Sequence, residues 1–142
     1  QTLKAYDILA ELNCLALKFA FPNLTQEHLE HLNELNESYA QIAKSSDFTK
    51  LTEIDRQFHT LIFQLADSEF LTYFFEILHV HTLRAESIFV YEKSNYLQSY
   101  QEHKKIINAL IQKDLETALK NMRDNWLHTA DFIKTSALSE HL

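Results

Sequence analysis

No glycine occurs anywhere in the 142 residues, and Pro22 is the one proline. Tight hairpin turns and bulges rely on positions with positive φ, which glycine adopts without steric cost. An all-β or doubly wound α/β fold is therefore disfavoured, and the length suits one domain with one core.

Helical spacing of apolar residues runs through the chain, interrupted by short polar breaks rich in Asn, Asp, Ser and Thr. It predicts an all-α fold, a single antiparallel bundle of about six helices. The first spans about Leu3 to Ala20, with Ile8, Leu12, Leu15 and Phe19 inward, and stops before Pro22. Thr25 caps the second, Gln26 to Lys44, which turns Leu29, Leu32, Leu35 and Ile42 inward and four glutamates outward. The third, Phe48 to Ala66, packs through Leu51, Ile54, Phe58, Leu61, Ile62 and Leu65, and Asp67-Ser68 caps its successor. The fourth, Phe70 to Tyr91, is apolar on more than one face and is expected at the centre of the bundle. After a turn ending at Ser94-Asn95, the fifth runs from Tyr96 to Lys113 with Ile106, Ile107, Leu110 and Ile111 inward. Asp114 caps a sixth that continues through Ala118, Met122, Trp126 and Ile133.

The net charge of -7 and the lack of any Lys/Arg cluster argue against a grip on a phosphate backbone. If the whole protein binds DNA, another segment does so. The start at Gln1 leads us to expect an excised domain whose N-terminal part is missing. A single cysteine, Cys14, permits no internal disulfide and suits a reducing cytoplasmic setting. No apolar run approaches the ~20 residues that span a bilayer, so no membrane partner is expected.

The informative positions are ionisable or amide side chains on buried stripes, because burying one without a partner costs several kcal/mol. Asp55 and His59 are one helical turn apart on the third helix. His103 shares the inward stripe of Ile106, Ile107 and Leu110, and Asn125 that of Ala118 and Met122. A carboxylate, two imidazoles and an amide from three helices make a sensible donor set for a divalent first-row metal. On spacing alone, Asp55 and His59 also fit a helical ion pair, and His103 a core histidine bonded to a backbone carbonyl.

At these residues the chain resembles the FadR C-terminal ligand-binding (FCD) domain of GntR-family transcription regulators, in its shorter, VanR-like six-helix form. Asp55-Arg56-Gln57-Phe58-His59 is similar to the family's Asp-x-x-Phe-His signature, and Ser99 to Ile106 resembles its Ser-x-x-Glu-His-x-x-Ile stretch. Asp114, Ala118 and Met122 fall at the offsets of its Asp-x-x-x-Ala-x-x-x-Met segment, and Glu11-Leu12 with Leu15-Ala16-Leu17 resembles its opening helix.

The resemblance implies that residues 1–142 form an effector-binding domain, without catalytic activity, attached to a DNA-binding winged helix-turn-helix that lies outside this chain. It implies a homodimer, a divalent metal such as zinc or nickel, and a small carboxylate effector. The metal ligands carried over are Asp55, His59 and His103. The family's fourth ligand, a histidine three residues after the methionine, is here Asn125. An amide oxygen binds a divalent ion more weakly than imidazole, and His128, one turn beyond, is the candidate replacement. Arg84, alone on an apolar helix, is the candidate for the effector's carboxylate, with Asn125 and His128 beside it; a structural pair with a glutamate is its other reading. A metal-dependent bundle enzyme and a metal-free interaction module remain the alternatives.

Other constellations carry less. His79 and His81 point in different directions on a helix and cannot chelate one ion together, and His28 and His31 sit on a glutamate-rich surface. Glu76-x-x-His79 is a single copy of a motif that a di-iron bundle needs twice. Asp124 and His128 are expected to form a surface ion pair, and the aromatic residues, Trp126 included, to be core.

Overall fold

In a computed structural model describing residues 2–45, 47–89 and 93–135, the chain forms six α-helices and one short 3-10 turn, with no strand among those residues. They are α1 (Thr2–Ala20), α2 (Gln26–Lys44), α3 (Phe48–Ala66), α4 (Glu69–Phe89), α5 (Lys93–Ile111) and α6 (Leu115–Thr135).

The helix ends explain how a chain without glycine makes its turns. Thr25 accepts from the His28 amide while the His28 ring accepts from the Thr25 amide, so two N-terminal N–H groups of α2 are satisfied reciprocally. Asp47, Ser68 and Asp114 cap α3, α4 and α6 through their side-chain oxygens. Pro22 sits in the 3-10 turn after α1, and Asn23 reaches across to the Leu65 carbonyl at the end of α3. The left-handed positions that close α3 and α5 are taken by Asp67 (φ 53°) and Lys113 (φ 57°).

The central element is α1, which packs against α3, α4 and α6, whereas α2 bridges α3 and α5, and α5 lies on α6. The reason is the size of its side chains: Ala5, Ala10, Ala16 and Ala20 are all buried and let three neighbours approach closely around Tyr6, Leu9 and Leu17. This corrects the expected inward face of α1, since Ile8, Leu15 and Phe19 are 39–49% exposed.

The expected central position of α4 is corrected as well. Leu71, Phe75, His79, Thr82 and Ala85 face the core, but Phe70 is 76% exposed and Val80 68%, with Tyr73, Phe74 and Ile77 on the same outer side. Two apolar faces here mean one buried face and one uncovered face. Ile111 likewise lies outward at the end of α5. Asn95 does not end a turn but is buried in the first turn of α5, which starts at Lys93. Val90 and Tyr91, expected in the fourth helix, lie outside the described residues, as do the side chains of Ile88 and Phe89.

Candidate metal and effector site

Asp55 and His59 from α3 meet His103 from α5 inside the bundle. One ligand atom from each lies within 4.8 Å of the others. The Asp55 Oδ1 atom is 3.1 Å from His103 Nε2 and 3.8 Å from His59 Nε2. Both imidazoles are buried, and Phe58 braces them, stacked on His103 at 4.3 Å between ring centres and edge-on to His59.

What orients the rings is a pair of asparagines that the sequence reading did not single out. Asn13 of α1 donates its amide to the Leu9 carbonyl at 2.8 Å, which leaves its oxygen for His59 Nδ1 at 3.1 Å. Asn36 of α2 donates to the Tyr100 carbonyl at 3.0 Å, which leaves its oxygen for His103 Nδ1 at 3.0 Å. An amide oxygen only accepts, so each ring carries a proton on Nδ1 and turns Nε2 toward Asp55. The signal was present in the sequence: each asparagine interrupts an apolar stripe, Asn13 between Leu9 and Leu17, Asn36 between Leu32 and Tyr39.

Electrostatics agree with this assignment. Burial holds the His59 pKa down to about 4, so the ring is neutral near pH 7. Burial pushes the Asp55 carboxyl upward, but its contact with the His103 ring and the fields of the His59, His103 and His79 rings outweigh it, leaving the group below its usual range. Asp55 is thus a carboxylate facing the Nε2 atoms of two imidazoles. His103 Nε2 is buried and, although 3.1 Å from Asp55 Oδ1, lacks good hydrogen-bond geometry to any group. Such a group costs of order 1–3 kcal/mol unless something cationic sits against it. Two imidazole nitrogens, each ring held from behind, and one carboxylate oxygen fit a divalent first-row ion.

Asn125 of α6 completes the inner wall. Its amide nitrogen donates to Glu102 Oε1 at 2.8 Å, and its side chain also reaches the His59 ring. His128 is turned to Glu102, 3.6 Å from Oε2, rather than to the Asp55 cluster. The expected Asp124–His128 pair is not formed, because Asp124 takes Lys120 at 3.1 Å. Arg84 is not brought to the cluster: it is exposed on α4, while His79 of the same helix is buried. His79 stacks on Phe75 and, with His59, flanks Trp126, whose ring centre is 5.0 Å from that of His59. His28 caps α2 and His81 is exposed.

Compared with known protein families, residues 4–126 match the FCD domain. The chain belongs to the FCD domain family. The match covers nearly all of the described bundle and includes Asp55, His59, His103 and Asn125, stopping short of His128. No curated protein matches the chain. FCD domains are ligand-binding regulatory domains of the FadR branch of GntR-family regulators, so a role in sensing follows from membership. No helix among the described residues is long and apolar enough to cross a membrane.

Proposed function

We propose that this FCD domain senses a small carboxylate through a divalent metal, zinc or nickel first among the candidates, held by Asp55, His59 and His103 with Asn125 as the fourth donor. The observation that carries the reading is the orientation of the two rings. Asn13 and Asn36 use their oxygens on the Nδ1 protons, and the two Nε2 atoms converge on one Asp55 oxygen. A cation would find two ring nitrogens and a carboxylate oxygen already gathered in a buried site, a prepared ligand set. A bound ion supplies a Lewis-acidic anchor for a carboxylate in its remaining positions.

The chain's own residues then set what is recognised. His79 and Trp126 bring aromatic walls and ring N–H groups to the side facing α4, and Asn125 and His128 give the polar side toward α6. Arg84, on the outer side of α4, is placed better for a carboxylate of a partner chain than for one inside the bundle.

The reading includes a homodimer whose DNA-binding domains lie outside this chain, with the effector shifting the population of two arrangements. The outer face of α4 supports the dimer. Phe70, Tyr73, Phe74, Ile77 and Val80 repeat at helical spacing, and Ile8, Leu15 and Phe19 lie on the neighbouring α1. All eight are uncovered in the single chain, and a stable interface takes about 800 Å² from each partner. A second copy of the chain is the occupant proposed, in a cytoplasmic regulator.

The test is metal content by mass spectrometry on protein purified without a histidine tag. About one ion per chain, lost in Asp55→Ala and in His103→Ala, is the expected result. Absence of any ion after resupply with zinc and with nickel rejects the metal.

A further inference from the structure

The position where the first three donors need a fourth holds Asn125, and the way its amide is turned is set by a neighbour. Glu102 is buried between α5 and α6, adjacent in sequence to His103 but directed away from it toward α6. It accepts two hydrogen bonds, from Asn125 Nδ2 at 2.8 Å on Oε1 and from Gln98 Nε2 at 3.3 Å on Oε2, with the His128 ring 3.6 Å from Oε2. A carboxylate in such company only accepts, so the Asn125 amide must present its nitrogen to Glu102. Its oxygen is then left for the other side, where the amide meets the His59 ring.

We infer that Glu102 is a positioning residue that locks Asn125 with its amide oxygen toward the Asp55–His59–His103 cluster, giving this chain a donor set of two nitrogens and two oxygens in place of three nitrogens and one oxygen. The inference rests on the metal reading above and adds the selectivity of the site to it. An asparagine alone can offer either end of its amide, and the nitrogen end cannot bind a cation. Fixing the oxygen inward removes the unproductive rotamer before any ion arrives. Oxygen donors also discriminate less among first-row ions than imidazole does, so exchanging one nitrogen for an oxygen narrows the preference for zinc or nickel over manganese.

The experiment is a double-mutant cycle on cobalt(II) affinity, read by quenching of Trp126, the only tryptophan, which lies against His59. The four proteins are the unaltered chain, Glu102→Gln, Asn125→Ala and the double variant. Circular dichroism and thermal unfolding confirm that each is folded. Glu102→Gln is expected to weaken cobalt(II) binding about 10-fold in the unaltered chain and only about 2-fold in the Asn125→Ala background, the residue of lost long-range charge. Equal losses in both backgrounds, with cobalt(II) still bound by the unaltered chain, overturn the positioning role and leave the metal site standing. No binding of cobalt(II), zinc or nickel by the unaltered chain overturns both. As a second readout, Asn125→His is expected to raise zinc affinity at least 10-fold more than manganese affinity; an equal rise for both ions contradicts the selectivity.

Discussion

His103 Nε2 lies 3.1 Å from Asp55 Oδ1, and the hydrogen bond from its other nitrogen to Asn36 fixes which ring nitrogen faces the carboxylate. Asn36 therefore decides which face of the ring the site sees. Asn36→Leu removes the acceptor for Nδ1–H and lets the ring flip or change tautomer. We expect metal affinity to fall about 10- to 100-fold, the range found for groups that orient metal-binding histidines. Competition with a chromogenic chelator measures it. Unchanged affinity would mean that packing against Phe58 and Tyr39 suffices to hold the ring.

An ion that binds only the folded chain stabilises it by mass action. At a free concentration 100 times the dissociation constant the gain is about 2.7 kcal/mol, which for a domain of this size raises the melting temperature by roughly 8 °C. Differential scanning fluorimetry with zinc or nickel, before and after chelation, reads this shift. In Asp55→Ala the shift should vanish whatever that variant's own melting temperature. A shift that survives in Asp55→Ala would place the bound ion elsewhere, for example on surface histidines such as His31 and His81.

The outer face of α4 offers a test of assembly that leaves the core alone. Val80 is 68% exposed and Ile77 43% exposed in the single chain. Ile77→Glu with Val80→Glu places charge where the two-fold contact is proposed, and two copies of each charge would be buried per dimer. Light scattering should show a dimer for the unaltered chain and a monomer for the double variant at micromolar concentration. The helical circular dichroism of that monomer should be unchanged. A monomeric unaltered chain would remove the second copy as occupant of this face.

The fold was largely legible because the breaks carry their own chemistry. The limits of α2 and α3 follow from Thr25, Asp47 and Asp67, side chains that satisfy or end a helix locally. The start of α5 was not legible, since Ser94 and Asn95 have the composition of a turn and only tertiary packing buries Asn95 inside a helix. The wrong faces of α1 and α4 share one cause. Hydrophobicity marks a surface that wants cover without stating what covers it, so Ile8 and Phe70 read as core until alanines on α1 are seen to set the packing. For the site, Asp55, His59 and His103 were visible from spacing. Asn13, Asn36 and Glu102 were not, because a single polar residue on a stripe has no spacing that shows which ring or amide on another helix it meets, and Arg84 was expected inward on a helix that has two apolar faces.

Cys14 reports on the tightness of the α1–α6 contact. Its thiol is buried, lies 3.5 Å from the Leu119 carbonyl, and is pushed up by burial to about 11. At pH 8 only about one thiol in a thousand is then ionised, and the thiolate is the reactive form. A chromogenic disulfide reagent should label the native protein at least 100-fold more slowly than the denatured chain. The rate should rise with pH and show no plateau below pH 10. Fast labelling of native protein would mean that α1 and α6 separate readily.

The absence of glycine has a measurable cost at two helix ends. Lys113 closes α5 in the left-handed region, where its amide reaches the Leu110 carbonyl at 3.0 Å and the next amide, of Asp114, reaches Ala109 at 2.9 Å. This is the hydrogen-bond pattern that glycine usually completes. A side chain with a Cβ pays about 1 kcal/mol or more to sit there, partly offset because glycine loses more backbone freedom on folding. Lys113→Gly should therefore raise stability by about 0.5 kcal/mol, while Lys113→Ala, which keeps the Cβ, should leave it unchanged. Asp67→Gly should gain less than Lys113→Gly, since aspartate tolerates this region better than lysine does. Urea denaturation of the three variants measures the ranking. If Lys113→Ala stabilised as much as Lys113→Gly, the gain would come from the lysine's charge or side chain, and the left-handed backbone would not be the source of the strain.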